Sequence, residues 1–147
     1  GALVGAVPPL IGFASAGAKA AGHDIIVFSL FMFFWQIPHF WLILIKYSKD
    51  YAAAGFPSLL NYIDEKKILY LIFLWVIFTS GFLLVSGIEA FNGVVKFPLI
   101  VLNITFIFLF YRSLFVKSLH RNAFVLINSF SFLIMFLLIA ASVFGMK

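Results

Sequence analysis

Four long apolar runs, separated by short polar stretches, organise this chain. A bilayer core of about 30 Å is crossed by about 20 helical residues. The runs at Ile25–Ile45, Ile68–Ile88, Phe97–Phe115 and Ala123–Gly145 meet that length. A shorter apolar run, Gly1–Gly17, reads as the remaining part of a truncated fifth helix. Membrane β-barrels show a period-two alternation that these continuous runs lack. Helices also satisfy their own backbone, as hydrocarbon demands. The pattern therefore predicts an all-α, polytopic transmembrane helix bundle with four full spans plus one partial N-terminal span, forming a single domain over residues 1–147.

Composition narrows the class further. Of 147 residues, 65% are hydrophobic, 20% aromatic and only 10% charged, and 21 are Phe. The mean hydropathy is +1.17. A soluble globule cannot cover so much apolar surface. This excludes a cytosolic enzyme, a disordered tail and a nucleic-acid-binding domain, and makes the lipid bilayer the first partner. With no Cys, disulfides, thiolate catalysis and Cys-ligated metals are excluded. The first residues, GALVGAVPPLIGFASAG, carry no basic n-region and are not a signal peptide. They read as the interior of a longer polypeptide.

The net charge of +5 is distributed between the runs. If the spans alternate, Lys46, Lys49, Lys66, Lys67, Arg112, Lys117 and Arg121 share one side, and Lys19, Lys96 and Lys147 the other. Seven basic residues against three place the first side in the cytoplasm by the positive-inside rule. That side carries the longest loop, Lys46–Lys67, with three of the five acidic residues: Asp50, Asp64 and Glu65. Within it, Asp50–Ala54 is expected to form one helical turn, stopped by Gly55 and Pro57.

Candidate chemistry concentrates in Phe34-Trp35-Gln36-Ile37-Pro38-His39-Phe40-Trp41. Gln36 and His39 within a span are costly unless they face protein or a cavity. Pro38 removes a backbone donor and leaves the Phe34 carbonyl free, so a kink is expected. Gln36, His39, Ile43, Lys46 and Asp50 are spaced 3, 4, 3 and 4 apart, so they share one face if the helix continues. This row runs from mid-membrane to the cytoplasmic mouth: amide, imidazole, ammonium, carboxylate. It is either a functional surface or a polar seam that locks helices together. Asp50 is a candidate Mg²⁺ ligand, since Mg²⁺ takes oxygen ligands and bridges to phosphates. Arg112 and Tyr111 could reach an anionic ligand. Asn103, Thr105, Asn128, Ser129 and Ser131 are expected to make hydrogen bonds between helices.

Three stretches resemble a known family. Gly5-Ala6-Val7-Pro8-Pro9-Leu10-Ile11-Gly12-Phe13-Ala14, then the Phe34–Trp41 segment and Asp50-Tyr51-Ala52-Ala53-Ala54-Gly55-Phe56-Pro57, resemble the GAxPPxxGW, WQxPHFW and DYxxAGxPM motifs of the heme-farnesylating branch of the UbiA prenyltransferase superfamily. The order and spacing agree across the first 60 or so residues. The remainder agrees in hydropathy and helix count. Phe13 stands where the family often has Trp, and Ser58 where it often has Met.

The resemblance implies nine spans around a cavity open to the cytoplasm, with this chain covering the fifth to the ninth. It implies farnesyl transfer from farnesyl diphosphate to a vinyl group of heme b, with Mg²⁺ as cofactor, in a bacterial inner membrane. Asp50 would help hold Mg²⁺–diphosphate, with Lys46 and Lys49 as diphosphate partners. His39 would sit near the heme as an axial ligand or acid–base group, supported by Trp35, Gln36 and Tyr51, and Arg112 would contact substrate. Heme A synthase and terminal-oxidase assembly factors are the implied protein partners. The superfamily's first Asp-rich motif, of NxxxDxxxD type, is not in these 147 residues, so this stretch alone is expected to be inactive. A transporter half with a helix broken at Pro38 and a non-catalytic heme-handling or oxidase-assembly subunit are the other readings.

Overall fold

A computed structural model describes residues 2–17, 23–57, 59–90, 93–116 and 120–143. Among these the chain is helical, without strands. In chain order the α-helices are α1 (Ala2–Ser15), α2 (His23–Lys46), α3 (Ser48–Ala53), α4 (Glu65–Ala90), α5 (Gly93–Phe115) and α6 (His120–Val143). A single 3-10 turn, Leu59–Asn61, lies between α3 and α4. Four helices are long and apolar enough to cross a membrane: Ile25–Lys46, Glu65–Ile88, Val94–Phe115 and Asn122–Ala140. The expected spans therefore stand, with those of α4 and α5 each beginning three residues earlier than the apolar runs, at Glu65 and Val94, and with the expected end of the last at Gly145 outside the described residues. Charged residues at a helix end are compatible with the backbone ladder, and Lys96 can extend toward water from inside α5. Lys19, Ser58, Lys117 and Lys147 lie outside the described residues.

The four spanning helices close a ring: α2 packs on α4, α4 on α5, α5 on α6, and α6 back on α2. Ring contacts run in opposite senses along neighbours. Phe34 meets Phe82 while Trp41 meets Trp75, and Trp35 reaches Ile127 while Lys46 reaches Phe124. Neighbours are thus antiparallel, and Lys46, Glu65, Arg112 and the start of α6 share one end of the bundle. The core inside the ring takes Phe31 and Leu42 from α2, Ile68 and Ile72 from α4, Leu99 and Phe110 from α5, and Ile127 and Ile134 from α6. Phe106 of α5 and Phe130 of α6 stack face to face, 3.9 Å between centroids and 7° apart. The helix α1 lies against α2, outside this ring, and none of its described side chains is fully buried.

Lipid tails are as apolar as the helices, so packing and hydrogen bonds must decide which faces meet. Two indoles make those bonds. Trp75 of α4 donates its Nε1–H to the Phe34 carbonyl at 2.8 Å. Phe34 is the residue four before Pro38, so this is the acceptor that proline leaves without a helical donor. Around the bond, the Phe34 ring packs edge-on against Phe78 and Phe82, with centroids at 5.0 and 5.3 Å. Trp35, one residue on, donates to the Ile127 carbonyl of α6 at 3.0 Å. Consecutive residues of α2 thereby fix it to α4 on one side and α6 on the other. The α2 helix continues unbroken from His23 to Lys46 with Pro38 inside it, so it lacks the break that the transporter reading requires.

Two of the residues expected to join helices, Asn103 and Asn128, do not. Asn128 turns its amide onto the Phe124 carbonyl of its own helix, at 2.6 Å. Asn103 is fully buried, and neither of its amide atoms has a partner among the described residues. An apolar environment makes a local i−4 carbonyl a ready acceptor, and the indoles, longer and rigid, are the groups that reach across.

Removing the Trp75 donor should leave the Phe34 carbonyl bare in hydrocarbon. Trp75→Phe is expected to cost about 1–2 kcal/mol, read as a lower unfolding midpoint in detergent. Adding Pro38→Ala restores a backbone donor to that carbonyl, so Trp75→Phe should cost measurably less in that background. Equal costs in both backgrounds would disprove the link.

Candidate functional site

The polar row predicted on α2 survives from Gln36 to Lys46, because helix α2 covers all of it. Gln36 meets α1, and His39 and Lys46 meet α6. Gln36 faces α1: a Cβ built on Gly5 would overlap its side-chain amide. The first and second sequence motifs are therefore in contact, and only a residue without a side chain fits at position 5. Pro8 and Pro9 lie inside α1 and, lacking N–H groups, leave the Val4 and Gly5 carbonyls without helical donors beside that contact. Gly12, the other motif glycine, has open space around it, so close packing accounts for Gly5 alone.

His39 faces α6. It is half-buried, its ring tilted on Trp35 at 4.7 Å and 30° and on Phe124 of α6 at 5.1 Å and 35°. Lys46 lies exposed at the end of α2, its Nζ 4.9 Å from the Tyr47 ring centroid and 5.6 Å from that of Phe124. Phe124 thus touches both members of the row. The Gln36 Oε1 and the His39 Nδ1 are buried and have no hydrogen-bond partner among the described residues. A polar seam that locks helices would pair these atoms across the interface. Neither atom is paired among the described residues, and the inter-helix bonds are made instead by the indoles of Trp35 and Trp75.

Asp50 does not continue the row. The α2 ladder ends when Tyr47 donates to the Ile43 carbonyl, and Tyr47, at φ −107° and ψ 20°, then starts α3. Asp50 stands in the first turn of this separate short helix, exposed, as is Lys49. The end of α3 explains much of the third motif. The Phe56 N–H bonds the Tyr51 carbonyl and the Gly55 N–H bonds the Ala52 carbonyl, both at 3.1 Å. Gly55 is left-handed at φ +68°, and the Tyr51 and Phe56 rings pack at 6.4 Å. Two such bonds closed by an apolar pair form a Schellman cap. Tyr51 is thus committed through both its carbonyl and its ring to the turn that follows Asp50.

Arg112 is exposed near the end of α5, at the same end of the bundle as Lys46 but on a helix that packs on α4 and α6. No described contact joins it to the row. Among the described residues no three His, Asp or Glu cluster as metal ligands. A groove of about 710 Å³ runs along the outer face of α4 from Tyr62 to Ile77, lined by none of the row residues, and its apolar wall suits lipid. Sequence reasoning missed Phe124, which was one of many Phe in an apolar run, and Gly5's specific contact with Gln36. No local pattern marks either, since each depends on which helices become neighbours.

A model of the UbiA prenyltransferase family matches residues 1–134. The chain belongs to the UbiA prenyltransferase family. Similar curated proteins are the protoheme IX farnesyltransferases of Aquifex aeolicus, 46% identical over 59 residues (40% of this chain, 20% of the relative), and Geobacter sulfurreducens, 44% identical over 57 (39% and 21%). That of Bartonella henselae is 35% identical over 116 residues, covering 76% of this chain and 36% of the relative. The chain thus spans between about a fifth and about a third of the length of these relatives. No solved structure matches it. Of the three segments that resemble this family in sequence, the first two meet at Gly5 and Gln36, and the third forms α3 and its cap.

Because Gly5 and Gln36 share space, Gly5→Ala should destabilise the protein by about 1–3 kcal/mol through overpacking. Gln36→Ala removes the overlapping atoms, so the double variant should recover most of the unfolding midpoint lost by Gly5→Ala. A purely additive double variant would show that the two do not touch.

Proposed function

We propose that this chain forms the acceptor and diphosphate face of an intramembrane prenyltransferase that moves a farnesyl group from farnesyl diphosphate to a vinyl group of heme b, giving heme O and diphosphate. The observation that carries the reading is the α2 row. It leads from two unpaired buried atoms, on Gln36 and His39, to Lys46, which has no carboxylate partner among the described residues. The relatives' name, protoheme IX farnesyltransferase, supports the reading.

The chemistry assigns the row its tasks. The allylic C1–O bond of farnesyl diphosphate breaks, and the oxygen keeps the electron pair. The negative charge gathers on diphosphate, where Lys46 and Lys49 stabilise it at the mouth of the site. The farnesyl cation is attacked by the heme vinyl carbon, and one water then supplies the product hydroxyl. Trp35, His39 and Phe124 form an aromatic wall that steadies an allylic cation and keeps stray water out. His39 is assigned to ligate the heme iron or to handle the proton of the entering water, and Gln36 to orient the tetrapyrrole; the unpaired buried atoms of both support this. Arg112 contributes positive charge at the same end.

Mg²⁺ fits on limited terms. Asp50 is a single exposed carboxylate, which suits an ion held chiefly by diphosphate oxygens and water rather than by a protein cage. Bound there, Mg²⁺ would neutralise the departing diphosphate. The α3 end is proposed to face the cytoplasm, in a bacterial inner membrane, and the excess of basic residues on that side supports the orientation. Heme A synthase and oxidase-assembly factors are the proposed protein partners, as consumers of the product. Alone, these 147 residues are proposed to be inactive, since they contain no NxxxDxxxD motif.

The test uses the complete protein in membranes, supplied with heme b, farnesyl diphosphate and Mg²⁺, with heme O detected by mass. The parent should form heme O, and Asp50→Asn should be about 100-fold slower, the scale of losing one charge-stabilising group. Equal rates would remove Asp50 from the chemistry, and no product from a folded parent would defeat the reading. His39→Ala should change the Soret spectrum of bound heme b. An unchanged spectrum would eliminate iron ligation by His39.

A further inference from the structure

We propose that Phe124 is a positioning residue, whose ring holds the Lys46 ammonium, uncompensated by any carboxylate among the described residues, where a diphosphate will meet it. The inference rests on the prenyltransferase reading and adds to it a residue on α6 that no motif marks.

Lys46 touches two aromatic rings. Its Nζ lies over the Tyr47 and Phe124 rings, at 4.9 and 5.6 Å from their centroids. It makes no ion pair among the described residues, whereas Lys67, also at this end of the bundle, stands 4.0 Å from Asp64. A carboxylate would orient an ammonium but also cancel its charge. An aromatic face orients it through the ring quadrupole and leaves the full charge for an incoming anion. A diphosphate outcompetes a ring easily and a carboxylate less so.

Phe124 is itself held in register. Its carbonyl accepts the Asn128 amide at 2.6 Å. One turn along α6, the Ile127 carbonyl accepts the Trp35 indole. Trp35 packs on His39, and His39 on Phe124. Trp35, His39, Phe124 and Lys46 therefore form one connected series along the row. Lys46 stands seven residues beyond His39, about two helical turns, and the ring from α6 bridges that interval. The cation at the mouth and the imidazole in the membrane are held against the same surface.

The test measures binding of inorganic diphosphate to the complete protein in nanodiscs at fixed Mg²⁺. Phe124→Leu should weaken binding about threefold to fivefold, the scale of an exposed cation–π contact, and Phe124→Tyr should restore it. In a Lys46→Gln background, Phe124→Leu should have no further effect, because its role passes through Lys46. If Phe124→Leu does not fold, Phe124→pentafluorophenylalanine keeps the ring shape without its negative face, and should weaken binding to the same extent. Parent-like binding by the fluorinated variant, or full additivity with Lys46→Gln, would reduce Phe124 to packing and overturn the inference. A parent that binds no diphosphate would overturn the prenyltransferase reading itself, and this inference with it.

Discussion

A helix in hydrocarbon must satisfy every backbone polar group, and Pro38 breaks that rule in the middle of α2. The Trp75 indole answers it by donating to the Phe34 carbonyl. This bond sets the rotation of α2 in the bundle, since Phe34 must point at α4. The Trp35 bond to Ile127 then ties the adjacent face to α6. With those two sides fixed, Gln36 and His39 have no freedom to bury themselves elsewhere. They face α1 and the first turns of α6. The proline thus acts less as a hinge than as a key that admits a single orientation.

This view gives the three family-like segments physical roles. In the first, Gly5 lets α1 approach Gln36 closely. In the second, alternate demands fall on neighbouring residues: Trp35 and the Phe34 carbonyl anchor the helix, while Gln36 and His39 are left unpaired. In the third, Gly55, Tyr51 and Phe56 cap a short helix that carries Lys49 and Asp50. Scaffold and candidate chemistry interleave residue by residue. A substitution in any of these segments is expected to disturb packing as well as binding, so the two must be measured together.

Much of the fold was legible in the sequence. Bilayer thickness imposes a length, and continuous apolar runs report it, so the four spans and the short α1 could be read directly. The row on α2 was legible for the same reason, helical periodicity. The expected stop at Gly55 follows from its left-handed backbone. Other features were not legible because they are not local. Whether α2 would run on to Asp50 depended on Tyr47, whose backbone leaves the α2 ladder and starts α3. Polar residues in spans were expected to bridge helices, but Asn128 found its own backbone and Asn103 no partner among the described residues. Phe124 was hidden among 21 Phe residues, and only the pairing of α6 with α2 distinguishes it.

The central claim is that the Gln36–His39–Lys46 face of α2 lines a ligand cavity rather than a sealed seam. These 147 residues contain no Cys, which makes labelling of introduced thiols direct. Single substitutions Gln36→Cys, His39→Cys, Ile43→Cys and Lys46→Cys, beside Ile37→Cys and Leu44→Cys, would be placed in the complete protein, otherwise free of cysteine. A water-soluble thiol reagent would then be applied with and without farnesyl diphosphate and Mg²⁺. The account predicts labelling at 36, 39, 43 and 46, little at 37 and 44, and protection of the labelled positions by farnesyl diphosphate. No labelling along the row, or labelling that the diphosphate does not protect, would contradict it.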